Sequence, residues 1–95
     1  MKVDIDSPAT LGLLVRASRK AMNLRQDDAA GSIGVSENFL GKVERGAERV
    51  QWGKLFQVLQ EFGLQVSIEV PEEYAEPTRQ QLQRLIHKAE DGKEG

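Results

Sequence analysis

The 95-residue chain contains no cysteine, which excludes disulfides, thiolate zinc fingers and any thiol nucleophile. It has one histidine, His87, close to a charged C-terminal end. A lone imidazole without further ligands builds no metal site and reads as a solvated surface residue. Aromatic residues make up 5% of the chain, so any core rests on aliphatic side chains. No apolar run approaches the roughly 18 residues of a membrane span, and no apolar stretch near residue 1 resembles a signal segment. We therefore expect no membrane association and a cytoplasmic location. Glycine-rich nucleotide loops, internal repeats and low-complexity runs are lacking as well. The carboxylate pairs Asp27-Asp28 and Glu72-Glu73 are adjacent in sequence, and Ser18, Ser32, Ser36 and Ser67 have no plausible histidine base nearby, so no enzyme site can be assembled. Asp4 and Asp6 alternate like surface residues rather than metal ligands. Neither a cofactor nor a metal is expected.

With 39% apolar and 29% charged residues, the composition is that of a soluble globular protein with polar ends. At this length it supports one small domain with a limited core, and such a chain gains from pairing with a second copy. The formal net charge is -2, but it is unevenly placed. Residues 11–54 carry eight Lys or Arg against five Asp or Glu, whereas residues 55–95 carry four against eight. The basic stretch is the one that holds the most informative pattern.

That pattern is two short helices joined by Gly34-Val35-Ser36. A first helix is expected after Ser7-Pro8, with Ser7 (or Thr10) as cap and Pro8 in a first turn that needs no donor. Leu11, Leu14, Val15, Ser18 and Met22 share one face, and Arg16, Arg19 and Lys20 lie on or beside the polar side. Asn23 suits the strained position that ends the helix. Helix two covers about 26–32, with Ala29, Ala30 and Ile33 inward. Its start is poorly capped by Arg25, although Asp27 and Asp28 suit the positive helix end. Gly34 supplies the turn, Val35 a core plug and Ser36 a cap for helix three, 37–45, which stops at Gly46. Helix three turns Phe39, Leu40 and Val43 inward and leaves Glu37, Asn38, Gly41, Lys42 and Arg45 mostly exposed. A turn this tight holds its second helix out as a probe of a DNA major groove, so a sequence-specific DNA binder is expected.

Helix four is expected over about 52–62, with Trp52, Leu55, Phe56, Leu59 and Phe62 as its apolar stripe and Gly63 as its stop. Residues 65–70 then alternate polar and apolar, as a strand with one buried face would, until Pro71. A lone strand needs a partner. It is expected to pair with its symmetry mate in a two-fold dimer, with Val66, Ile68 and Val70 sharing a core with Phe62; packing against Val3 and Ile5 is the alternative. In the stretch 74–90, Leu82, Leu85, Ile86 and Ala89 suit a short final helix, and residues 91–95 should fray. The expected fold is thus mainly α, a four- to five-helix domain with a helix-turn-helix and a short C-terminal β-strand. Its divisions are an arm (1–9), the DNA-binding domain (10–63), the dimerisation strand (64–71) and an amphipathic tail (72–95).

Over residues 11–46 the chain resembles the phage-repressor and Cro type of helix-turn-helix, the XRE family. The resemblance rests on Leu11-Gly12, Val15-Arg16, Arg19, Asn23-Leu24-Arg25-Gln26, Ala29-Ala30, Gly34-Val35-Ser36, Leu40-Gly41 and Glu44-Arg45-Gly46. Asn23, Arg25 and Ala29 depart from the family's usual Gly, Thr and Leu. A fourth helix followed by Phe62-Gly63-Leu64-Gln65-Val66-Ser67-Ile68 resembles more narrowly the HipB-like antitoxin repressors, which use such a strand to join two subunits. The resemblance implies a homodimer that binds palindromic operator DNA, represses its own operon and binds a HipA-like Ser/Thr kinase toxin. It covers roughly residues 8–70; the tail matches nothing comparable. By position it implies base-edge contacts for Glu37, Asn38 and Lys42 and phosphate contacts for Gln26, Arg45 and Arg49. It also implies a structural pair of Arg19 with Glu44.

The residue types fit those roles. Asn reads adenine N6 and N7, and Lys donates to guanine O6 or N7, while Glu is repelled by phosphates unless it accepts from cytosine N4 or orients an Arg. Asn38 and Lys42 stand one turn apart on one helix face. Gln26 opens helix two, where free N–H groups and the helix dipole favour an anion. Arg25 is a further plausible phosphate neighbour, with pairing to a surface acid as its ordinary alternative.

Overall fold

A computed structural model describes residues 1–94. The chain divides into two compact units, Met1–Gln65 and a second from Val66 onward. In the first, four helices follow one another: α1 (Pro8–Ala21), α2 (Gln26–Ile33), α3 (Glu37–Glu44) and α4 (Trp52–Glu61). The second holds a short 3-10 turn (Glu72–Tyr74) and α5 (Ala75–Glu94). The architecture is that of a mainly α, five-helix protein with a helix-turn-helix.

Local chemistry sets most of the boundaries. Ser7 Oγ accepts from the Thr10 N–H at 3.2 Å and caps α1, with Pro8 in the first turn. Asn23 ends the helix at φ 57°, a left-handed conformation that Asn tolerates better than most residues. Its N–H reaches the Lys20 carbonyl, and that of Leu24 reaches the Arg19 carbonyl. Gly34 (φ 90°) lets the chain leave α2 while its N–H, and that of Val35, both reach the Ala30 carbonyl. Ser36 Oγ then accepts from the Phe39 N–H at 3.0 Å, which opens α3.

The core of the first unit consists of Val15, Ala29, Ala30, Ile33, Leu40, Val43, Val58, Leu59 and Phe62, flanked by half-buried Leu11, Val35, Phe39, Val50, Leu55 and Leu64. Burying each large aliphatic side chain stabilises by about 1.5–3 kcal/mol relative to exposure. Close approach of α1 to α3 depends on missing side chains. A Cβ at Gly12 would lie 2.8 Å from the Glu44 carbonyl oxygen, and one at Gly46 (φ 76°) only 2.6 Å from Ala9 Cα.

Four expectations about packing are corrected. Helix α4 buries Val58 and leaves Trp52 75% and Phe56 46% exposed. Positions 55, 58, 59 and 62 form the inward stripe; Trp52 extends it past the end of the core, Phe56 lies at its edge, and the two rings stack on each other at 6.0 Å. In α1, Met22, placed on the inward face by spacing, is exposed. Gly41, expected to be exposed, is buried, because the Arg45 side chain lies against it. Phe62 belongs to the core of its own chain.

In the second unit, every side chain from Val66 to Gly92 is exposed. Among the described residues no β-strand forms, since a single row of backbone N–H and C=O groups has no ladder without a second row. Helix α5 is longer than a short final helix, running on through 91–94 where fraying was expected; His87 Nε2 lies 3.4 Å from Asp91 Oδ2 across its last turns. Residue 95 lies outside the described residues.

Candidate nucleic-acid interface

The turn at Gly34-Val35-Ser36 fixes α3 against α2 because Val35 packs on the core and Leu40 and Val43 anchor the inner face of α3. Glu37, Asn38 and Lys42 are thereby left on its solvent side, all exposed. Asn38 and Lys42 are separated by one helical turn, so their polar ends emerge side by side on that face. Arg45, exposed, caps the C-terminal end of α3, and Arg49 is exposed in the loop that leads to α4.

Behind this face lies a buried ion pair. Arg19 of α1 donates from Nε to Glu44 Oε2 at 2.7 Å and from Nη2 to Glu44 Oε1 at 2.8 Å, and its Nη1 donates to the Leu24 carbonyl at 2.9 Å. Both side chains are nearly inaccessible, 11% and 4% exposed. The hydrogen bonds from Arg19 to Glu44 hold the guanidinium pKa above its ordinary value against the opposing effect of burial. Such a fork satisfies both carboxylate oxygens at once and fixes α1 against α3.

Glu44 Oε1 also accepts from Gln26 Nε2 at 3.3 Å. Half-buried Gln26, the first residue of α2, is thus connected to the same carboxylate as Arg19. Arg25, before it, makes no side-chain cap; its Nη2 lies 3.1 Å from Asp27 Oδ2 at the surface. Gln26 and Arg45 therefore meet at Gly41, where the start of α2 reaches α3, with Arg25 next to Gln26 in the chain, while Val66, Ile68 and Val70 lie exposed in the other unit.

Two features escaped the reading of the sequence. Lys54 of α4 places Nζ 5.8 Å from the centroid of the Phe39 ring, adding a cation beside α3 at a spacing from which no sequence signal could be drawn. The Arg45 guanidinium lies against Gly41 with Gln26 Oε1 bordering the same position, an arrangement that depends on how α2 packs on α3. Among the described residues no group of three or more metal-ligating side chains is assembled, and no helix is long and apolar enough to cross a membrane.

No protein-family model matches the chain. Similarity to individual proteins is clear. An uncharacterized HTH-type transcriptional regulator of Sinorhizobium fredii, y4mF, is 46% identical over 69 residues, which are 73% of this chain and 91% of that protein. Among solved structures, a chain of a HipA–HipB–O2–O3 complex superposes with a TM-score of 0.67 at 20% identity, covering 75% of this chain and all of the other. A chain of a HipB–O4 20mer complex gives 0.66 with the same identity and coverage.

Proposed function

The chain belongs to the HTH-type transcriptional regulators, DNA-binding proteins rather than enzymes, and from that premise we propose that it is a cytoplasmic, homodimeric repressor of a palindromic operator. The observation that carries this reading is the exposed face of α3, with Asn38 and Lys42 one turn apart directly beyond the Gly34-Val35-Ser36 turn. Glu37, Asn38 and Lys42 read base edges in the major groove. Arg25, Gln26, Arg45 and Arg49 hold phosphates on either side of it. Arg19 and Glu44 keep α1 and α3 in register behind them.

Dimerisation uses residues 65–70, paired with the same segment of a second copy. Ile68 is 85% exposed, Val66 57% and Val70 43%. Strand pairing would cover this alternate apolar set and satisfy backbone groups that have no ladder in one chain. The half-site centres then lie about one helical turn, roughly 34 Å, apart.

Selection of binding sites from genomic DNA tests the reading face. The Asn38→Ala, Lys42→Ala double variant should lose its preference among sites while it remains folded, and full retention of specificity would reject the assignment. Ile68→Asp should yield monomers in analytical ultracentrifugation and lose operator affinity by orders of magnitude; a tight dimer would move the interface elsewhere.

A second role is supported by the likeness of the fold to chains found in a HipA–HipB assembly and by α5, whose Leu82, Leu85 and Ile86 are 50–63% exposed along one face. In this role the protein is the antitoxin of a HipA-like Ser/Thr kinase and regulates its own operon. Co-purification with a kinase-like product of the adjacent gene would support it, and a neighbourhood without such a gene would leave a stand-alone repressor.

A further inference from the structure

We propose that Gly41 is a positioning residue for phosphate binding: the missing side chain in the middle of α3 makes a seat for the Arg45 guanidinium. The inference rests on Arg45 being a phosphate contact. Gly41 is buried although it has no side chain to bury, because Arg45, one turn further on, lies across it. A Cβ at this position would stand 2.9 Å from Arg45 Nη1 and 3.6 Å from Gln26 Oε1.

Glycine is the poorest helix former after proline, and α3 is only eight residues long. In exchange, the guanidinium end of an otherwise exposed, entropically costly side chain finds a place against the helix. An arginine whose fork is oriented in advance loses less freedom when it meets a phosphate. Gln26 borders the same slot with its carbonyl oxygen, the preferred neighbour of a guanidinium. Its amide nitrogen gives one of its two hydrogens to Glu44, which in turn is fixed by Arg19. The buried pair thus holds Gln26 beside the empty position at 41, against which the Arg45 guanidinium rests.

The atom that a new methyl group would meet first is the far end of a flexible side chain, so Gly41→Ala displaces Arg45 without disturbing the fold. Full-length protein is titrated with a mixed-sequence 20-base-pair duplex by fluorescence anisotropy over a series of salt concentrations, with thermal melting alongside. Gly41→Ala is expected to melt at the same or a slightly higher temperature, as its helix propensity rises. It should nevertheless bind about 2- to 10-fold more weakly, with a salt slope lower by about one unit per chain. In an Arg45→Ala background the same substitution should cost nothing further. A purely structural role for Gly41 would move stability and binding in the same direction. Arg45→Lys, which keeps the charge but not the planar fork, should lose as much affinity as Gly41→Ala. The inference is overturned if Gly41→Ala keeps the wild-type slope while Arg45→Ala loses it, if the two losses add in full, or if Lys replaces Arg at no cost. If Arg45→Ala itself leaves the slope unchanged, the phosphate role of Arg45 fails first, and the seat has no function to serve.

Discussion

The unit from Met1 to Gln65 and the one from Val66 onward are built from similar amphipathic helices, yet they differ in what becomes of the apolar faces. In the first unit nine apolar side chains are buried, along with an arginine and a glutamate. In the second, Leu82, Leu85 and Ile86 keep a helical spacing as regular as that of Leu11, Val15 and their neighbours, and every one is exposed. An apolar stripe specifies a helix that has a face to bury, but not where the complementary face resides. In the first unit the partners are supplied by short connections and close crossings at Gly12, Gly46 and the Gly34 turn. In the second they are not supplied by these residues, which is why we look to a second copy or another protein for them.

Breaking the buried pair should produce the largest effect. Glu44→Ala leaves the Arg19 guanidinium without its carboxylate behind α1 and α3 and should cost about 3–5 kcal/mol in urea denaturation, a large fraction of the stability of a domain this size. The apolar contrast comes next. Leu40→Ala, in a side chain with no exposed surface, should cost about 2–5 kcal/mol, whereas Leu85→Ala should stay within about 0.5 kcal/mol when the melting of the first unit is followed by amide exchange. An equal loss in both would mean that α5 is part of the same cooperative core.

Gly12→Ala tests whether backbone proximity holds the first unit together. With a carbonyl oxygen 2.8 Å from the new Cβ, α1 must move away from α3, at about 1–3 kcal/mol by denaturant titration. The caps of α2 and α3 should respond in opposite directions. Ser36→Ala removes the acceptor of the Phe39 N–H and should cost about 1 kcal/mol, while Arg25→Ser provides α2 with a missing cap and should gain a similar amount. If Arg25 also contacts phosphate, the more stable variant will bind DNA more weakly.

The smallest effect belongs to the second unit and to pH. Arg79 donates from Nε to Glu76 Oε2 at 3.0 Å and from Nη2 to Oε1 on the surface of α5. These bonds hold the Glu76 carboxyl below its ordinary pKa. A carboxyl depressed in the folded state contributes stability that is present above its ordinary value, near pH 4, and lost as the pH falls through the lower folded value. Carbon chemical shifts of residues 75–80 should therefore show the first turn of α5 loosening below about pH 4.

The positions of α1 to α4 were legible in the sequence because their signals are local. Ser7, Asn23, Gly34, Ser36, Gly46 and Gly63 act on backbone groups a few residues away, and periodicity at 3.6 residues shows which face of a helix is apolar. The exposed triad Glu37, Asn38 and Lys42 followed from the same periodicity. That the described residues form no strand at 65–70 also follows physically, because pairing is a property of two segments and the alternation there describes only one.

By itself, then, the sequence determined the helix-turn-helix, its caps and the exposed face of α3, through interactions spanning at most about one turn. Only the tertiary structure decided that Val58 rather than Phe56 faces inward, that Gly41 lies beneath Arg45, and that Gln26 shares a carboxylate with α1. Each of these depends on where a residue of another helix, or the end of the core, comes to rest. A charge such as that of Arg19 is buried only when the fold brings it an opposite charge, and Glu44 lies 25 residues away along the chain.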